Sequence, residues 1–178
     1  MLTLAQNNVV ESLAKELVQL IRDAIVNKPI KRISRRKVNG KYVDKVFSAP
    51  VNASGELAKT IRYEITETSL SIYANDYIYD LIYGKPPNKS MASLDINLES
   101  KIKTWLAYKG ISDGSNTDTL AYYISNKIHK FGSSIYLAYQ GKNSGLLENI
   151  INDDLIAEYN SKFTKQLELE LIEAFNGK

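Results

Sequence analysis

Residues 28–48 read KPIKRISRRKVNGKYVDKVFS, and this stretch places a β-hairpin near the front of the chain. Asn39 and Gly40 stand at its centre, and both residue types tolerate the positive φ angles of a two-residue hairpin turn. Strands are therefore predicted at about Ile30–Val38 and Lys41–Ser48. Because the stretch offers few side chains for a core, we expect an arm that projects from the rest of the fold.

The hairpin is also strongly basic. Its cations are Lys28, Lys31, Arg32, Arg35, Arg36, Lys37, Lys41 and Lys45, and its one carboxylate is Asp44. Three interpretations stay open: contact with nucleic-acid phosphates, contact with an acidic partner subunit, or a solvated loop. One candidate for this acidic partner is the C-terminal helix of a neighbouring copy. Tyr42 is the single ring before Phe47, so the arm lacks the interleaved aromatics of a single-strand binder.

Long helices are predicted at both ends of the chain. Apolar residues recur at three- and four-residue steps from about Thr3 to Asn27, and Pro29 ends this helix. The last segment, about Asp153 to Phe175, shows the same spacing. Asp153 and Asp154 lie at its N-terminal end, where the helix dipole favours negative charge.

Short elements fill the middle of the chain. After a loop in which Ser54 is a candidate cap, we expect in order a helix over 56–61, two strands near 63–65 and 70–74, and a tyrosine-rich helix over 77–83. Two further helices end at Gly110 and Gly132, and 133–140 is a short strand or an irregular tie. The pattern predicts one α+β domain over 1–178, with a small antiparallel sheet packed against several helices. Residues 28–48 form the projecting arm and 146–178 a helical extension.

Composition narrows the class of protein. The 178 residues are 44% apolar and 24% charged, which suits a folded domain of ordinary size. Cysteine is absent, so disulfides and thiolate chemistry are excluded. The sequence shows no apolar run of about 18 residues and no secretory pattern, so we expect synthesis in the cytoplasm and no membrane contact.

The sequence offers no set of catalytic residues. His129 is the single histidine, so neither a Ser-His-Asp triad nor a two-histidine metal site can be built without it. A lone histidine beside an apolar stripe is usually structural or merely exposed. Helix capping explains Asp153 and Asp154 better than metal binding does, and glycine-rich nucleotide motifs are absent. We therefore predict a protein that is not an enzyme and holds no cofactor or metal.

Charge and tyrosine content point to contacts with other proteins. Residues 1–60 carry 11 basic and 5 acidic side chains, whereas 146–178 carry 3 and 7. Such a chain can pair head to tail with its own copies or face two partners, although chance asymmetry gives the same count. The chain has 12 tyrosines, with a cluster at Tyr73, Tyr77, Tyr79 and Tyr83. Tyrosine is favoured at interfaces, and half-buried packing is the alternative.

A familiar pattern runs through residues 49–132. It comprises Ala49-Pro50, Ser54-Gly55-Glu56-Leu57, Leu70-Ser71-Ile72-Tyr73, Asp76-Tyr77 and Tyr83-Gly84-Lys85-Pro86-Pro87. This series resembles the tail-completion and head–tail joining proteins of tailed bacteriophages. The later Ile102-Lys103-Thr104-Trp105 and Lys109-Gly110-Ile111 resemble the variant with an added helical pair. One departure is Ile82, where the family often has a glutamate.

The resemblance implies a structural virion protein, not an enzyme. Copies would form a ring between portal and tail or at the top of the tail, with portal or adaptor and tail proteins as neighbours. Genomic DNA would pass through the lumen. The expected interface residues are Arg32, Arg35, Arg36, Lys37, Tyr77, Tyr79, Tyr83, Gly84, Lys85, Pro86 and Pro87. Non-specific DNA contact would use Lys31, Arg32, Arg35, Arg36 and Lys41.

Overall fold

The structure, a computed structural model, describes residues 3–50, 55–88, 96–111 and 115–177. Its elements are α1 (Leu4–Asn27), β1 (Pro29–Val38), β2 (Lys41–Pro50), α2 (Glu56–Thr60), β3 (Arg62–Ile65), β4 (Leu70–Tyr73), α3 (Tyr77–Ile82), α4 (Ile96–Tyr108), α5 (Ser115–Phe131), α6 (Ser134–Tyr139) and α7 (Asp153–Phe175). The predicted α+β class, hairpin and long C-terminal helix are confirmed. The proposed cap Ser54 lies outside the described residues.

Within the described residues, the β structure consists of two antiparallel pairs of strands. In the hairpin, β1 and β2 pair from Pro29 opposite Pro50 to Val38 opposite Lys41. Asn39 and Gly40 close the turn with φ angles of 48° and 81°. The Asn-Gly signal therefore set both the turn and the register. The second pair joins β3 to β4, with Arg62 opposite Tyr73 and Ile65 opposite Leu70.

The central core joins elements that lie far apart in the chain. Its buried members are Val18 and Ile25 of α1, Ile30 of β1, Ile61, Leu81 of α3, Ile135 of α6, and Leu146. Because Ile30 belongs to this core, the base of the hairpin is anchored, while most of β2 is exposed. The arm projects from a fixed base.

Segment 133–140 differs from its prediction. The structure has helix α6 there, so the predicted short strand or irregular tie is wrong. The Ser133 hydroxyl accepts a hydrogen bond from the Tyr136 amide at 3.2 Å, which caps the first turn. Ile135 then points into the central core. Capping and burial outweigh a local sequence with two tyrosines and one isoleucine, residues common in strands.

Helices α1 and α7 form an antiparallel pair on one side of the fold. Leu17, Leu155 and Tyr159 make a small second core between them. The Tyr159 hydroxyl donates to a Glu16 carboxylate oxygen at 2.6 Å. The N-cap of α7 is Asn152, whose side chain accepts from the Leu155 amide at 2.8 Å. Helices α4 and α5 pack on each other around a third core of Ile102, Leu106 and Ala121.

Candidate functional site

One face of the outer hairpin is basic and open to solvent. Side chains alternate between the two faces of a strand pair, and residues opposite each other share a face. The register puts Arg36, Lys41 and Lys45 on one face together with Val38 and Val43. All five are exposed. The three cations form no hydrogen bond or ion pair with other described residues. We call this set the distal hairpin face.

The other face of the hairpin is clamped to the end of α5. Arg35 binds Asp44 with two hydrogen bonds of 2.7 Å, and its guanidinium lies 5.4 Å from the centre of the Phe131 ring. The Tyr42 ring meets the same Phe131 ring edge to face at 5.0 Å. Lys130 donates to the Tyr42 hydroxyl at 3.1 Å. Arg35 therefore fixes the pose of the arm and is less available to a partner than Arg36.

The same contacts shift the titration of two groups in this clamp. The hydrogen bond from Arg35 lowers the pKa of the Asp44 carboxyl. The hydrogen bond from Lys130 lowers the pKa of the Tyr42 hydroxyl, and Lys37 on the same strand pair adds to the effect. Lys37 therefore lies on the clamped face rather than on the distal hairpin face.

We expect Phe131→Ala to loosen the outer hairpin without unfolding the chain. The substitution removes the ring that Arg35 and Tyr42 contact, while Ile30 still anchors the base. Aromatic and cation–π contacts of this kind are each worth about 1 kcal/mol, so loss of one or both should quicken amide hydrogen exchange across 35–44 by roughly five- to thirtyfold. Tyr123→Ala, an exposed position on the same helix, is the matched control. Unchanged exchange in Phe131→Ala would show that the clamp does not hold the arm.

Arg32 lies at the base of the hairpin rather than at its tip. The side chain is half-buried, and its Nε atom is buried without a hydrogen-bond partner among the described residues. Burial lowers the pKa of this guanidinium, and nearby Tyr77 partly opposes that effect. Arg32 is thus tucked against α3, which makes it a poorer candidate for DNA or subunit contact than the sequence implied. Lys31 is exposed, and its backbone amide donates to the Tyr139 hydroxyl at 3.1 Å.

Helix α3 presents a surface of tyrosines. Tyr77, Tyr79 and Tyr83 are all exposed, and Tyr79 is 63% exposed. Leu81 is buried in the central core, which turns Tyr79 and Tyr83, on the opposite side of the helix, toward solvent. Burial raises the pKa of the Tyr77 hydroxyl, and the Asp80 charge raises it further. Tyr77 lies four residues before Leu81, on the core-facing side of the helix, and its hydroxyl is shielded beside Arg32. Tyr79 and Tyr83 therefore form the outward face, which suits a protein contact.

The segment after α3 divides between core and surface. Gly84 is buried, Lys85 is half-buried, and Pro86 and Pro87 are exposed. The Lys85 amide donates to the Ser133 hydroxyl at 3.0 Å, and the Ser133 amide donates to the Lys85 carbonyl at 2.9 Å. These bonds seat the segment on the start of α6. Of the predicted interface residues in this segment, Gly84 packs inside its own fold, whereas Pro86 and Pro87 are open to solvent.

A second aromatic surface was not singled out from the sequence. Helix α4 exposes Trp105 and Tyr108, and α5 exposes Tyr122 and Tyr123. The rings of Tyr122 and Tyr123 meet edge to face at 6.1 Å. A helical-wheel projection of α5 that puts its apolar stripe toward the core places both tyrosines away from the buried face. That signal was available in the sequence.

The groups considered for chemistry take structural positions. His129 is 2% exposed, and its backbone carbonyl accepts from the Asn88 amide at 2.9 Å. A shallow cavity of about 380 Å³ lies between α1 and β3. All three cations that line it have partners: Lys15 pairs with Glu11, and Arg22 donates to the carbonyls of Ala58 and Ile61. The Arg62 guanidinium lies 5.4 Å from the centre of the Tyr73 ring. In the part of the chain that the structure describes, His, Asp and Glu form no group of three that could hold a metal ion.

Comparison of the chain with protein-family models, curated proteins and solved structures finds no significant match. Among the described residues, no helix combines the length and the apolar character needed to cross a lipid bilayer.

Proposed function

We propose that this chain is a ring-forming structural subunit of the neck of a tailed bacteriophage. It would belong to the head–tail connector or to the tail-completion (tail-terminator) complex. The ring joins portal to tail in the virion and lines the path by which DNA leaves. The observation that carries the proposal is the resemblance across residues 49–132, above all the sequence Tyr83-Gly84-Lys85-Pro86-Pro87.

The geometry around Gly84 gives this part of the pattern a physical reason. Gly84 has a φ angle of 75°, which residues with a side chain rarely adopt. A Cβ atom there would lie 2.1 Å from the Tyr136 backbone nitrogen of α6. A glycine is therefore required for α3 to meet α6. The glycine of the pattern therefore has a physical reason in this chain.

The exposed surfaces are of the kind that an assembly subunit needs. Tyr79 and Tyr83 at the outer side of α3 give large, rigid contact areas with a polar tip. The distal hairpin face adds a cationic surface on a different part of the chain. Two unlike surfaces allow a subunit to meet two unlike neighbours, as every member of a stacked ring must. The same cations would tolerate brief contact with DNA phosphates in the lumen.

The test is a cryo-EM reconstruction of virions from the source of this chain, combined with one amino-acid substitution at each of its two candidate interfaces. We expect a ring of this fold at the portal–tail junction. We also expect a chain with Tyr79→Ala and Arg36→Ala to fold normally and to yield few tailed particles. Lys142→Ala is the matched control, because Lys142 is exposed outside both surfaces. Arg36 is chosen because its side chain belongs to the distal hairpin face, whereas Arg35 is bound to Asp44.

Clean absence of the chain from the particle would contradict the neck proposal. It would bring forward the alternative, a nucleic-acid-binding protein that uses the basic hairpin. The specific observation in its favour is that Arg36, Lys41 and Lys45 share one face and have no partner among the described residues. That alternative requires affinity for DNA that falls steeply with salt, since each neutralised phosphate on a duplex adds about 0.9 to the log–log slope.

A further inference from the structure

Helix α5 carries a row of tyrosine and lysine side chains on its outer side. Tyr123, Lys127 and Lys130 follow each other at steps of four and three residues, so they lie on one face of the helix. Ala121 and Ser125 are buried on the opposite side. Tyr123 is 65% exposed, and both lysines are exposed. The helix therefore presents one aromatic ring and two ammonium groups to solvent.

The clamped face of the hairpin continues this row. Lys130 donates to the Tyr42 hydroxyl at 3.1 Å, and its ammonium lies 5.5 Å from the centre of the Tyr42 ring. Lys37 is opposite Tyr42 in the strand pair, so the two side chains share a face, and both are exposed. The row thus runs from Tyr123 through Lys127 and Lys130 to Tyr42 and Lys37. We call these five residues the α5–hairpin row.

The α5–hairpin row keeps its positive charge. Residues 119–131 contain no aspartate or glutamate. Asp44, the one carboxylate of the hairpin, is bound to Arg35 by two hydrogen bonds of 2.7 Å. The side chains of Lys37 and Lys127 form no hydrogen bond or ion pair with other described residues. Lys130 contacts a hydroxyl and aromatic rings, which leave its charge in place. Three ammonium groups can therefore attract a polyanion.

Exposed rings beside such cations favour one class of anionic partner. Lysine is depleted at the centres of protein–protein interfaces, whereas contact between lysines and phosphates is the main source of sequence-independent binding to nucleic acids. Bases of a single strand stack on exposed aromatic rings, and the phosphates follow a positively charged surface. The hairpin alone offers Tyr42, and the packing of α5 adds Tyr123 to the same row. Tertiary structure therefore supplies the interleaved rings that the hairpin sequence lacks.

We infer that the α5–hairpin row binds single-stranded nucleic acid without sequence preference. Lys37, Lys127 and Lys130 meet the phosphates, and bases stack on Tyr42 and Tyr123. The row is separate from the distal hairpin face, which lies on the other side of the strand pair. The inference goes beyond the neck role, which calls for no single strand, and it does not depend on that role.

The test is fluorescence anisotropy of the purified full-length chain with a labelled oligothymidylate of about 20 nucleotides, which exceeds the few bases that the row can stack. At low salt we expect tighter binding to this strand than to a duplex of the same length. Tyr123→Ala should weaken binding to the single strand by about five- to a hundredfold, because one stacked base is lost. Tyr123→Phe should bind as the parent does, since the ring remains. Tyr108→Ala, an exposed tyrosine of α4 outside the row, is the matched control.

Salt dependence separates the lysines from the rings. Lys127→Ala should reduce the magnitude of the log–log slope of affinity against salt by about 0.7, the contribution of one neutralised phosphate on a single strand. Tyr123→Ala should leave that slope unchanged, because no charge is removed. Circular dichroism of each variant verifies that the loss of affinity does not come from unfolding.

Four outcomes would overturn the inference. The first is no binding of oligothymidylate at low salt, and the second is equal affinity of the parent and Tyr123→Ala chains. The third is loss of binding in Arg36→Ala with Lys41→Ala but not in Tyr123→Ala with Lys127→Ala, which would assign the nucleic acid to the distal hairpin face. The fourth is tighter binding of an oligoglutamate of matched charge, which would assign the row to an acidic protein. None of these results bears on the neck role, which the virion reconstruction tests.

Discussion

Gly84→Ala should destabilise the protein by at least about 3 kcal/mol, because two unfavourable effects act at one position. The first is the backbone: Gly84 has a φ angle of 75°, in the left-handed region that alanine disfavours. The second is packing: the new Cβ would lie 2.1 Å from the Tyr136 nitrogen and 2.5 Å from its Cα. Both atoms belong to the backbone of α6, so the helix itself would have to move. The measurement is urea unfolding followed by circular dichroism.

Two other glycines separate these effects. Gly40 and Gly110 have φ angles of 81° and 69°, and a Cβ at either would meet nothing within 4 Å. Alanine at these positions should lower the free energy of unfolding through the backbone effect alone, by about 1 kcal/mol. The difference between Gly84→Ala and Gly110→Ala therefore measures the close approach of α3 to α6. If both variants lose the same stability, α6 can shift freely and the proposed reason for the glycine is wrong.

The hairpin was predictable because its signals are local. Asn39-Gly40 defines a two-residue turn, and a turn of known length sets which residues face each other. Arg35 opposite Asp44 follows from that register, so the commitment of Arg35 could have been foreseen from the sequence. Arg32 could not, since its burial depends on α3, which arrives about 45 residues later and packs by tertiary contacts. The local sequence pattern predicts on which face of a strand a residue lies, but it does not predict which other element packs over that residue.

The long helices were predictable and α6 was not, for a reason of length. Helix α7 spans 23 residues, enough for several repeats of its apolar spacing. Helix α6 spans six, and SIYLAY contains residues that favour strands as well. Its existence depends on Ser133 as a cap and on the pocket that receives Ile135. The interior role of Gly84 was missed for the same reason, because the sequence indicates a turn but not the approach of α6.

The turn between α6 and α7 joins the candidate surfaces to each other. Ser144 donates through its hydroxyl to the Leu81 carbonyl at 3.1 Å and through its amide to the Ile82 carbonyl at 2.8 Å. The Lys28 ammonium donates to the Gly145 carbonyl at 2.6 Å. One short irregular segment therefore ties the C-terminal end of α3 to the residue that precedes the hairpin. The relative position of the tyrosine helix and the basic arm depends on it.

Leu146→Ala should lose about 2 to 5 kcal/mol of stability, because it removes a buried side chain from this junction. Leu146 is 0% exposed and belongs to the core that also contains Ile30, Leu81 and Ile135. No periodic pattern marks it in the sequence, since it lies in an irregular segment. Thermal and urea unfolding measure the loss, and Ile151→Ala is the control, because Ile151 is 64% exposed a few residues later. That control should stay within about 0.5 kcal/mol of the parent.

For Leu146→Ala, the elements that loosen are as informative as the size of the stability loss. A cavity at Leu146 lies under the hairpin base and under α3 at once, so hydrogen exchange should quicken in both elements together. Faster exchange in α7 alone would place the effect elsewhere and contradict the junction. If the two surfaces loosen together, the arm and the tyrosine helix form one rigid unit. A rigid unit is what a ring subunit needs in order to hold two neighbours at a fixed angle.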